Sequence, residues 1–308
     1  MSFELILTIL CSAVSASVPV LLAGMGGLFT HHANVFNISL EGMLLVGAFS
    51  AVAGSIMTGS WMLGILFGIL GSLLVSLLFA FFVLKIRMGQ FITGIAINTF
   101  AAGGTTYFMR QLFGVKGTLT SPDIVAIPKW NIPILRDIPI LRDVLNGHPV
   151  PLYLTFFIIV PLVFVVLYKT QFGLRLRASG FEPKAADSVG IKSGRYQFVS
   201  ILICGVLCGL GGSYLSIGYM RLFSENMSSG RGWIAIAIIL LTNGHPLKIL
   251  FLGLVFGFCE GLGLSLQSYN VPTQFTYMLP YLATLLALFL NSRKRFSQRK
   301  AGETEVLN

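Results

Sequence analysis

Long apolar runs alternate with short polar connections along the chain, and this pattern predicts a bundle of membrane-spanning helices. A helix needs about 20 apolar residues to cross a bilayer, and runs of that length recur between residues 4 and 291. Glycine, proline and charged residues separate them. We expect about nine spans, within a range of eight to ten, near residues 4–27, 37–57, 61–84, 90–109, 150–168, 197–219, 222–243, 248–267 and 272–291. A re-entrant turn within 24–40 would change the count by one.

Composition agrees with an all-α polytopic membrane protein. Of the 308 residues, 55% are apolar and only 10% are charged, whereas soluble domains carry about a quarter charged residues. Residues 1–308 therefore read as a single transmembrane domain, and a soluble enzyme is nearly excluded. The cysteines lie in apolar runs without a CxxC pair, so neither a metal site nor a disulfide framework is indicated; they are Cys11, Cys204, Cys208 and Cys259.

The formal net charge of +10 indicates orientation and not a nucleic-acid partner, because Lys and Arg concentrate in cytoplasmic loops and are attracted by anionic lipid. With nine spans, Lys85, Arg87, Lys248, the loop 169–196 and the basic tail 292–308 lie on the cytoplasmic side, as does the C-terminus. The N-terminus and the loop 110–149 are then external. Residues 1–24 lack a basic segment ahead of the apolar run, so we expect them to remain in the mature protein.

The internal loop 169–196 contains a short helical signal. Glu182 and Pro183 begin it and Gly190 can end it. The external loop 110–149 repeats Ile-Pro units, which favour extended or interfacial packing over a long helix.

Glycines recur four residues apart in several runs, a spacing that lets helix backbones approach closely in lipid. We expect helix packing from Gly64 with Gly68, Gly205 with Gly209, and Gly253 with Gly257 and Gly261. GMGG at 24–27 and GLGG at 209–212 each precede a polar segment and a new apolar run. They indicate an inverted-topology repeat; chance recurrence in a glycine-rich chain is the alternative.

Charged and polar residues at membrane depth are candidate functional residues, because burying them in lipid is costly. The apolar run after Arg231 is only about ten residues long, so the seventh span reads as a broken helix that lines a pathway. The candidate pathway residues are Asn37, Glu41, Asn98, Glu225, Asn226, Ser228, Arg231, Trp233 and Glu260.

Several of these candidates also have structural explanations. Glu41 could brace its own helix N-terminus, and Glu225 could pair with Arg231 at the outer interface. The three asparagines could bridge helices, and Trp233 could belong to the aromatic belt at the interface. The histidines all fall in predicted loops, which makes a metal site improbable; they are His31, His32, His148 and His245.

Catalytic motifs are absent from the sequence, which contains no HExxH, GxSxG or GxxxxGK[ST]. We therefore predict no catalytic residues, no metal and no cofactor. If transport uses ATP, another subunit must bind it.

The stretches NISLEGMLLVGAF at 37–49, GLRLRASGFEPKAADSVGI at 173–191, and CGLGGSYLSIG with FSENMSSGRGWIAIA within 208–237 resemble the permease subunits of bacterial ABC importers of the ribose and nucleoside type. The resemblance covers about residues 20–290 and is nearest to nucleoside permeases. It implies that 169–196 is the cytoplasmic coupling loop, whose helix docks into an ATPase subunit through Glu182, Ala185, Ala186, Asp187 and Gly190.

The chain also departs from such permeases. It has His31, His32, Ala33 and Asn34 where relatives often carry a charged pair, and GFEP where GENP is usual. The first departure bears on substrate detail, and the second on docking to the ATPase.

The resemblance implies import of nucleosides across the bacterial inner membrane by alternating access. The implied partners are two ATPase subunits, a second permease that is a related paralogue, a lipoprotein binding protein and membrane lipid. The same architecture could instead carry ribose, another sugar or branched-chain amino acids. Two alternatives belong to other classes of membrane protein. One is an ion-driven transporter with Glu41 and Glu260 as ion sites, and the other is a membrane-embedded enzyme.

Overall fold

The computed structural model of the protein describes residues 3–130 and 146–267, together with the single positions 278 and 282. Three helices include a π-helical segment, at Phe81–Lys85, Leu154–Ile159 and Tyr214–Met220. The helices are α1 (Phe3–His32), α2 (Leu40–Thr58), α3 (Trp61–Lys85), α4 (Gln90–Phe113), α5 (Val150–Lys169), α6 (Gln171–Phe181), α7 (Pro183–Ser188), α8 (Ser193–Met220), α9 (Arg231–Leu241) and α10 (Pro246–Gln267).

Within these residues, six helices are long and apolar enough to cross a membrane: α1, α2, α3, α5, α8 and α10. The chain is therefore a helical membrane protein, as its composition predicts. Helix α4 is equally long but less apolar, since it contains Asn98 and four threonines. Helix α9 has 11 residues and a length of about 16 Å, roughly half of the hydrocarbon thickness of about 30 Å.

The helix bounds correct several of the predicted spans. Helix α1 continues without a break to His32, so residues 24–32 form no re-entrant turn, and the non-helical segment is confined to 33–39. The span predicted at 222–243 contains a helix only from Arg231 to Leu241. Apart from positions 278 and 282, the span predicted at 272–291 and the tail 292–308 lie outside the described residues.

Four short strands lie at one end of the bundle. Strands β1 (Thr118–Leu119) and β4 (Phe223–Ser224) pair antiparallel, as do β2 (Lys129–Trp130) and β3 (His148–Pro149). In the described part of the predicted external loop, residues 114–130 contain no helix, and buried Ile124 and Ile127 pack against α2 and α8. We call the opposite end, where α1, α3 and α5 finish, the His32 end.

Helix α1 lies at the centre of the core. It packs against α8, α10 and α9, while α2 packs between α3 and α8. The side chains of Leu21, Leu22, Met25 and Leu28 are fully enclosed. These contacts place the N-termini of α2 and α9 beside each other in the interior.

The glycine spacing acts in helix packing, as predicted. A Cβ atom added to Gly209 would lie 2.7 Å from Ile69 Cα of α3, and one added to Gly261 would lie 2.9 Å from Ile9 O of α1. Helices α3, α8 and α10 therefore approach their neighbours at backbone distance. The structure does not confirm the inverted repeat, which stays a prediction.

Replacing Gly257 with alanine should destabilise the protein, because the new methyl group would collide with Ala13 O and would lie 2.8 Å from Ser17 Cβ. Overpacking of this kind costs about 1–3 kcal/mol. Gly103→Ala in α4 is the matched control, since no atom lies within 4 Å of its added Cβ. Thermal unfolding in detergent measures both variants. Equal midpoints for the two would contradict the packing role of Gly257.

Candidate functional site

The segment between β4 and α9 enters the bundle as non-helical chain. Asn226, Ser229 and Gly230 have left-handed backbone conformations, with φ angles of 57°, 46° and 82°. Such angles are uncommon for residues other than glycine and are concentrated at functional sites. Buried Met227 and Ser228 lie between them. The broken seventh span predicted from sequence is thus a folded loop followed by a half-length helix.

The Glu41 carboxylate caps the N-terminus of α9. Glu41 Oε1 accepts a hydrogen bond from Gly230 N at 2.8 Å, and Oε2 accepts one from Gly232 N at 2.7 Å. The first N–H groups of a helix have no partner within it, and a negative charge there is favoured by the helix dipole. Glu41 belongs to the first turn of α2, so the bracing expected for its own helix is instead given to α9.

Gly232 allows this close approach. A Cβ atom at position 232 would lie 2.6 Å from Glu41 Cα and 2.8 Å from Glu41 Oε2. Any side chain there would force α2 and α9 apart and break the cap. The GRG sequence at 230–232 is therefore explained on both sides of Arg231: Gly230 takes the left-handed turn, and Gly232 leaves room for the carboxylate.

Arg231, which is buried, forms an ion pair with partly buried Glu260 of α10. Its Nη1 also donates to Met227 O at 3.1 Å and to Ser228 O at 3.3 Å, which ties the loop to the helix that it precedes. Arg231 Nε and Ser228 Oγ are buried and have no hydrogen-bond partner among the described residues. We call Glu41, Arg231 and Glu260, with the N–H groups of Gly230 and Gly232, the Glu41 network.

Glu225 pairs with Arg110 and not with Arg231, so the expected pairing of Glu225 with Arg231 is wrong. Glu225 Oε1 lies 3.3 Å from Arg110 Nη2 and accepts a second hydrogen bond from Gly117 N at 3.2 Å. This cluster holds the start of the loop against α4 and β1. The left-handed turn at Asn226 directs the chain away from Glu225 before it reaches Arg231.

Asn37 and Asn98 both support the start of α2. Asn37 Oδ1 accepts hydrogen bonds from Ser39 N and Ser39 Oγ, at 3.0 and 2.6 Å. Asn98 Oδ1 accepts from Gly42 N at 2.8 Å, and its Nδ2 donates to Ile38 O at 3.0 Å. Asn226 and Trp233 are exposed. The contribution of these four residues to a substrate pathway stays a prediction.

The predicted coupling helix is present as α7, from Pro183 to Ser188. Gly190 ends it in a left-handed conformation with φ 84°. Asp187 Oδ1 accepts from Ser193 N at 2.9 Å and so caps α8. Glu182 and Ala185 are exposed, whereas Ala186 is buried. Ala186 therefore does not contribute to the exposed surface of α7.

Sequence reasoning missed two parts of this region. Helix α6 occupies residues that were read as loop, and Thr170 is its N-cap, with Oγ1 accepting from Gly173 N at 3.3 Å. Phe181 and Val189, at the two ends of α7, are 91% and 74% exposed. Large apolar side chains in a polar, helix-containing loop are the signal that could have found them.

The histidine placement corrects the prediction that all four lie in loops. His31 and His32 form the last turn of α1, and buried His148 lies in β3. His32 Nε2 donates to Gly244 O at 2.9 Å, and Tyr168 Oη donates to the same oxygen at 3.5 Å. The segment after α9 is thereby attached to the ends of α1 and α5.

Known proteins resemble this chain over most of its length. The family described as the permease component of the branched-chain amino acid transport system matches residues 9–288. The guanosine ABC transporter permease protein NupQ of Bacillus subtilis is 33% identical, over 88% of this chain and 87% of the relative. The nucleoside ABC transporter permease protein NupC of Lactococcus lactis is 30% identical, over 93% and 92%. These matches confirm the resemblance seen in the sequence.

A solved structure shares the fold. A chain in the structure of PsaBC from Streptococcus pneumoniae in complex with Fab aligns with 97% of this chain and 96% of its own length, with a TM-score of 0.50. Sequence identity is 15%, so the likeness concerns the fold alone.

Proposed function

The chain belongs to the permease family of the branched-chain amino acid transport system, and from this premise we propose that it is the transmembrane subunit of an ATP-driven importer of nucleosides. Proteins of this family are transporter permeases and not enzymes. The guanosine and nucleoside permeases that match most of the chain support nucleosides as the substrate class. Transport would proceed by alternating access across the bacterial cytoplasmic membrane.

The observation that supports a substrate pathway here is the half-length helix α9 together with the non-helical loop that precedes it. Irregular backbone at membrane depth is tolerated where it lines a cavity or is buried in protein. The charges of the Glu41 network already have partners within the protein, which leaves neutral groups for the substrate. A neutral nucleoside offers a planar ring and several hydroxyl groups, which suit exposed Trp233 and Asn226 and the Ser228 hydroxyl. Asn37 and Asn98 would act indirectly, because their amide groups hold the start of α2.

The distribution of charge supports the proposed orientation. Basic residues gather at the His32 end, in the α3–α4 connection and between α5 and α8, and such residues mark the cytoplasmic side. We therefore place the His32 end in the cytoplasm. The C-terminus lies on the same side when the span predicted at 272–291 crosses the membrane after α10. The strands then face outward, where a lipoprotein binding protein would deliver substrate.

The proposed partners follow from this orientation. Helix α7 would dock on an ATPase subunit that binds and hydrolyses ATP. A second, related permease would complete the pathway. Phe181, Val189 and Ala185 offer the ATPase an apolar surface, and Asp187 and Gly190 fix the geometry of α7.

Uptake of radiolabelled guanosine, with ribose and leucine as comparison substrates, tests the proposed substrate. Host cells that carry the gene are compared with cells that lack it. We expect cells that lack the gene to lose guanosine uptake and to keep ribose and leucine uptake. In cells that carry the gene, ATP depletion should abolish guanosine uptake. Leucine is included because the matching family is that of branched-chain amino acid permeases.

Two outcomes would contradict the proposal in different ways. If cells without the gene lose ribose or leucine uptake and keep guanosine uptake, the protein is still an importer subunit, but its substrate is the sugar or the amino acid. Guanosine uptake that is lost when the ion gradient is collapsed, and that is unaffected by ATP depletion, would instead support an ion-driven transporter. In that transporter Glu41 and Glu260 would serve as ion sites.

Replacing Gly190 with valine should uncouple ATP hydrolysis from transport. Valine in a left-handed conformation costs about 1–2 kcal/mol, so the connection between α7 and α8 would rearrange. We expect substrate-stimulated ATP hydrolysis by the purified complex to fall several-fold. Gly194→Ala is the matched control, because Gly194 lies in the first turn of α8 with no atom within 4 Å of an added Cβ. Unchanged stimulation in the Gly190 variant would reject the coupling role.

A further inference from the structure

A cavity of about 610 Å³ lies between α6, the connection that follows α7, and the first turns of α8. Its wall includes Arg175, Lys192 and Arg195. It also includes the apolar or aromatic side chains of Phe172, Tyr196 and Val199. Val189, Gly190 and Ile191 complete the wall. The first two also belong to the ATPase contact proposed above, so the cavity borders that contact, whereas the six residues named here are not part of it.

The three cationic side chains have no carboxylate within ion-pair distance among the described residues. Asp187 is the acidic residue nearest in sequence to Lys192 and Arg195, and its Oδ1 is occupied by the N–H group of Ser193. Three like charges around one cavity repel each other, and a bound anion would relieve that repulsion. Arginine is especially suited to phosphate, because its planar guanidinium donates two parallel hydrogen bonds.

The rest of the cavity wall is apolar or aromatic, and part of it lies along the membrane-spanning helix α8. Phe172 and Tyr196 contact each other, with ring centroids 5.7 Å apart. Exposed Val199 lies one turn beyond Arg195 along α8, within the candidate span Ser193–Met220. The cations therefore lie where α8 would enter the bilayer, at the depth of phospholipid headgroups.

We propose that this cavity binds the phosphate headgroup of an anionic membrane phospholipid, with the lipid chains against Val199 and the two rings. Basic pockets at the ends of membrane helices are suited to such headgroups. A free phosphate ion has the same charge but gains nothing from the apolar wall, which favours the lipid. The inference requires only that the chain spans a membrane, and it is independent of the proposed nucleoside substrate.

Native mass spectrometry of the full chain in neutral detergent tests the proposal, with phosphatidylglycerol as the probe and phosphatidylcholine as the neutral lipid. Each cation near a headgroup contributes about 1 kcal/mol, which corresponds to roughly fivefold in affinity at RT of about 0.59 kcal/mol. We expect Arg195→Gln to weaken phosphatidylglycerol binding about fivefold. The triple variant Arg175→Gln, Lys192→Gln, Arg195→Gln should weaken it about a hundredfold.

Lys248→Gln is the matched control, because Lys248 is an exposed cation at the same end of the bundle and does not line the cavity. It should bind phosphatidylglycerol as the unmodified protein does. Val199→Ser supplies a second test that leaves every charge in place, and it should weaken lipid binding without changing any binding of inorganic phosphate. Thermal unfolding confirms that each variant is folded.

Three results would overturn the proposal. The first is equal affinity of the triple variant and the unmodified protein for phosphatidylglycerol. The second is equal binding of phosphatidylcholine and phosphatidylglycerol by the unmodified protein. The third is displacement of the lipid by inorganic phosphate at matched concentration, which would assign the cavity to a soluble anion.

Discussion

Replacing Arg231 with methionine should lower the stability of the protein by about 3 kcal/mol, because it leaves the Glu260 carboxylate partly buried without its cation. The side chains of Arg231 and Glu260 are only 8% and 26% exposed. The same substitution also removes the hydrogen bonds from Nη1 to Met227 O and Ser228 O, so the loop before α9 loses its attachment. We expect uptake to be lost as well.

A more exposed Arg–Glu pair, Arg110 with Glu225, is the matched control. Arg110 and Glu225 are 50% and 33% exposed, and exposed ion pairs contribute at most about 1 kcal/mol. Arg110→Met should therefore shift the midpoint of thermal unfolding far less than Arg231→Met does. Similar shifts for the two variants would contradict the difference in burial on which this prediction depends.

The double variant Arg231→Met, Glu260→Met separates charge from packing. Replacing both partners of a buried pair by apolar residues is often neutral for stability. We expect the double variant to recover most of the stability that Arg231→Met loses. A double variant less stable than either single variant would show that the ion pair itself, and not an unpaired charge, accounts for the loss.

Replacing Glu41 with alanine should be comparably severe, because it removes the cap of α9. The N–H group of buried Gly232 and that of partly buried Gly230 would lose their partners, and a buried group of this kind costs about 1–3 kcal/mol. Glu41→Gln should fall between glutamate and alanine, since an amide has one acceptor oxygen and no charge. Thermal unfolding and nucleoside uptake of the three proteins provide the measurement.

Glu182→Gln is the control for this series. Glu182 is the N-cap residue of α7, but it is exposed and its side chain makes no capping hydrogen bond. Its substitution should change the free energy of unfolding by no more than about 0.5 kcal/mol. If Glu41→Ala matched that small effect, the Glu41 cap would have no energetic importance.

Much of the fold follows from local pattern. Apolar runs of about 20 residues located the long helices, and glycine spacing located close helix contacts such as Gly209 against α3. Helix α7 was predicted from Pro183 and Gly190 because both residues act on the backbone at their own positions. Helix α6 was missed because its charged face resembles a loop when only hydrophobicity is considered.

The residues of the Glu41 network could be identified from the sequence, but the contacts between them could not be predicted. Intramembrane charges are few, so Glu41, Arg231 and Glu260 stood out individually. Their contacts join residues separated by as many as 191 positions, which only the packing of α1, α2 and α10 brings together. Glu225 was assigned to Arg231 because the two are close in the chain, whereas the left-handed turn at Asn226 separates them.

The attachments of α9 limit how this helix can move. Its N-terminus is held by one carboxylate from α2, and the chain just after its C-terminus is held through Gly244 O by α1 and α5. A slide along its own axis by one residue, about 1.5 Å, would break hydrogen bonds at both ends at once. Sliding of α9 alone is therefore costly, and we expect this helix to move together with the helices that hold it and not along its own axis.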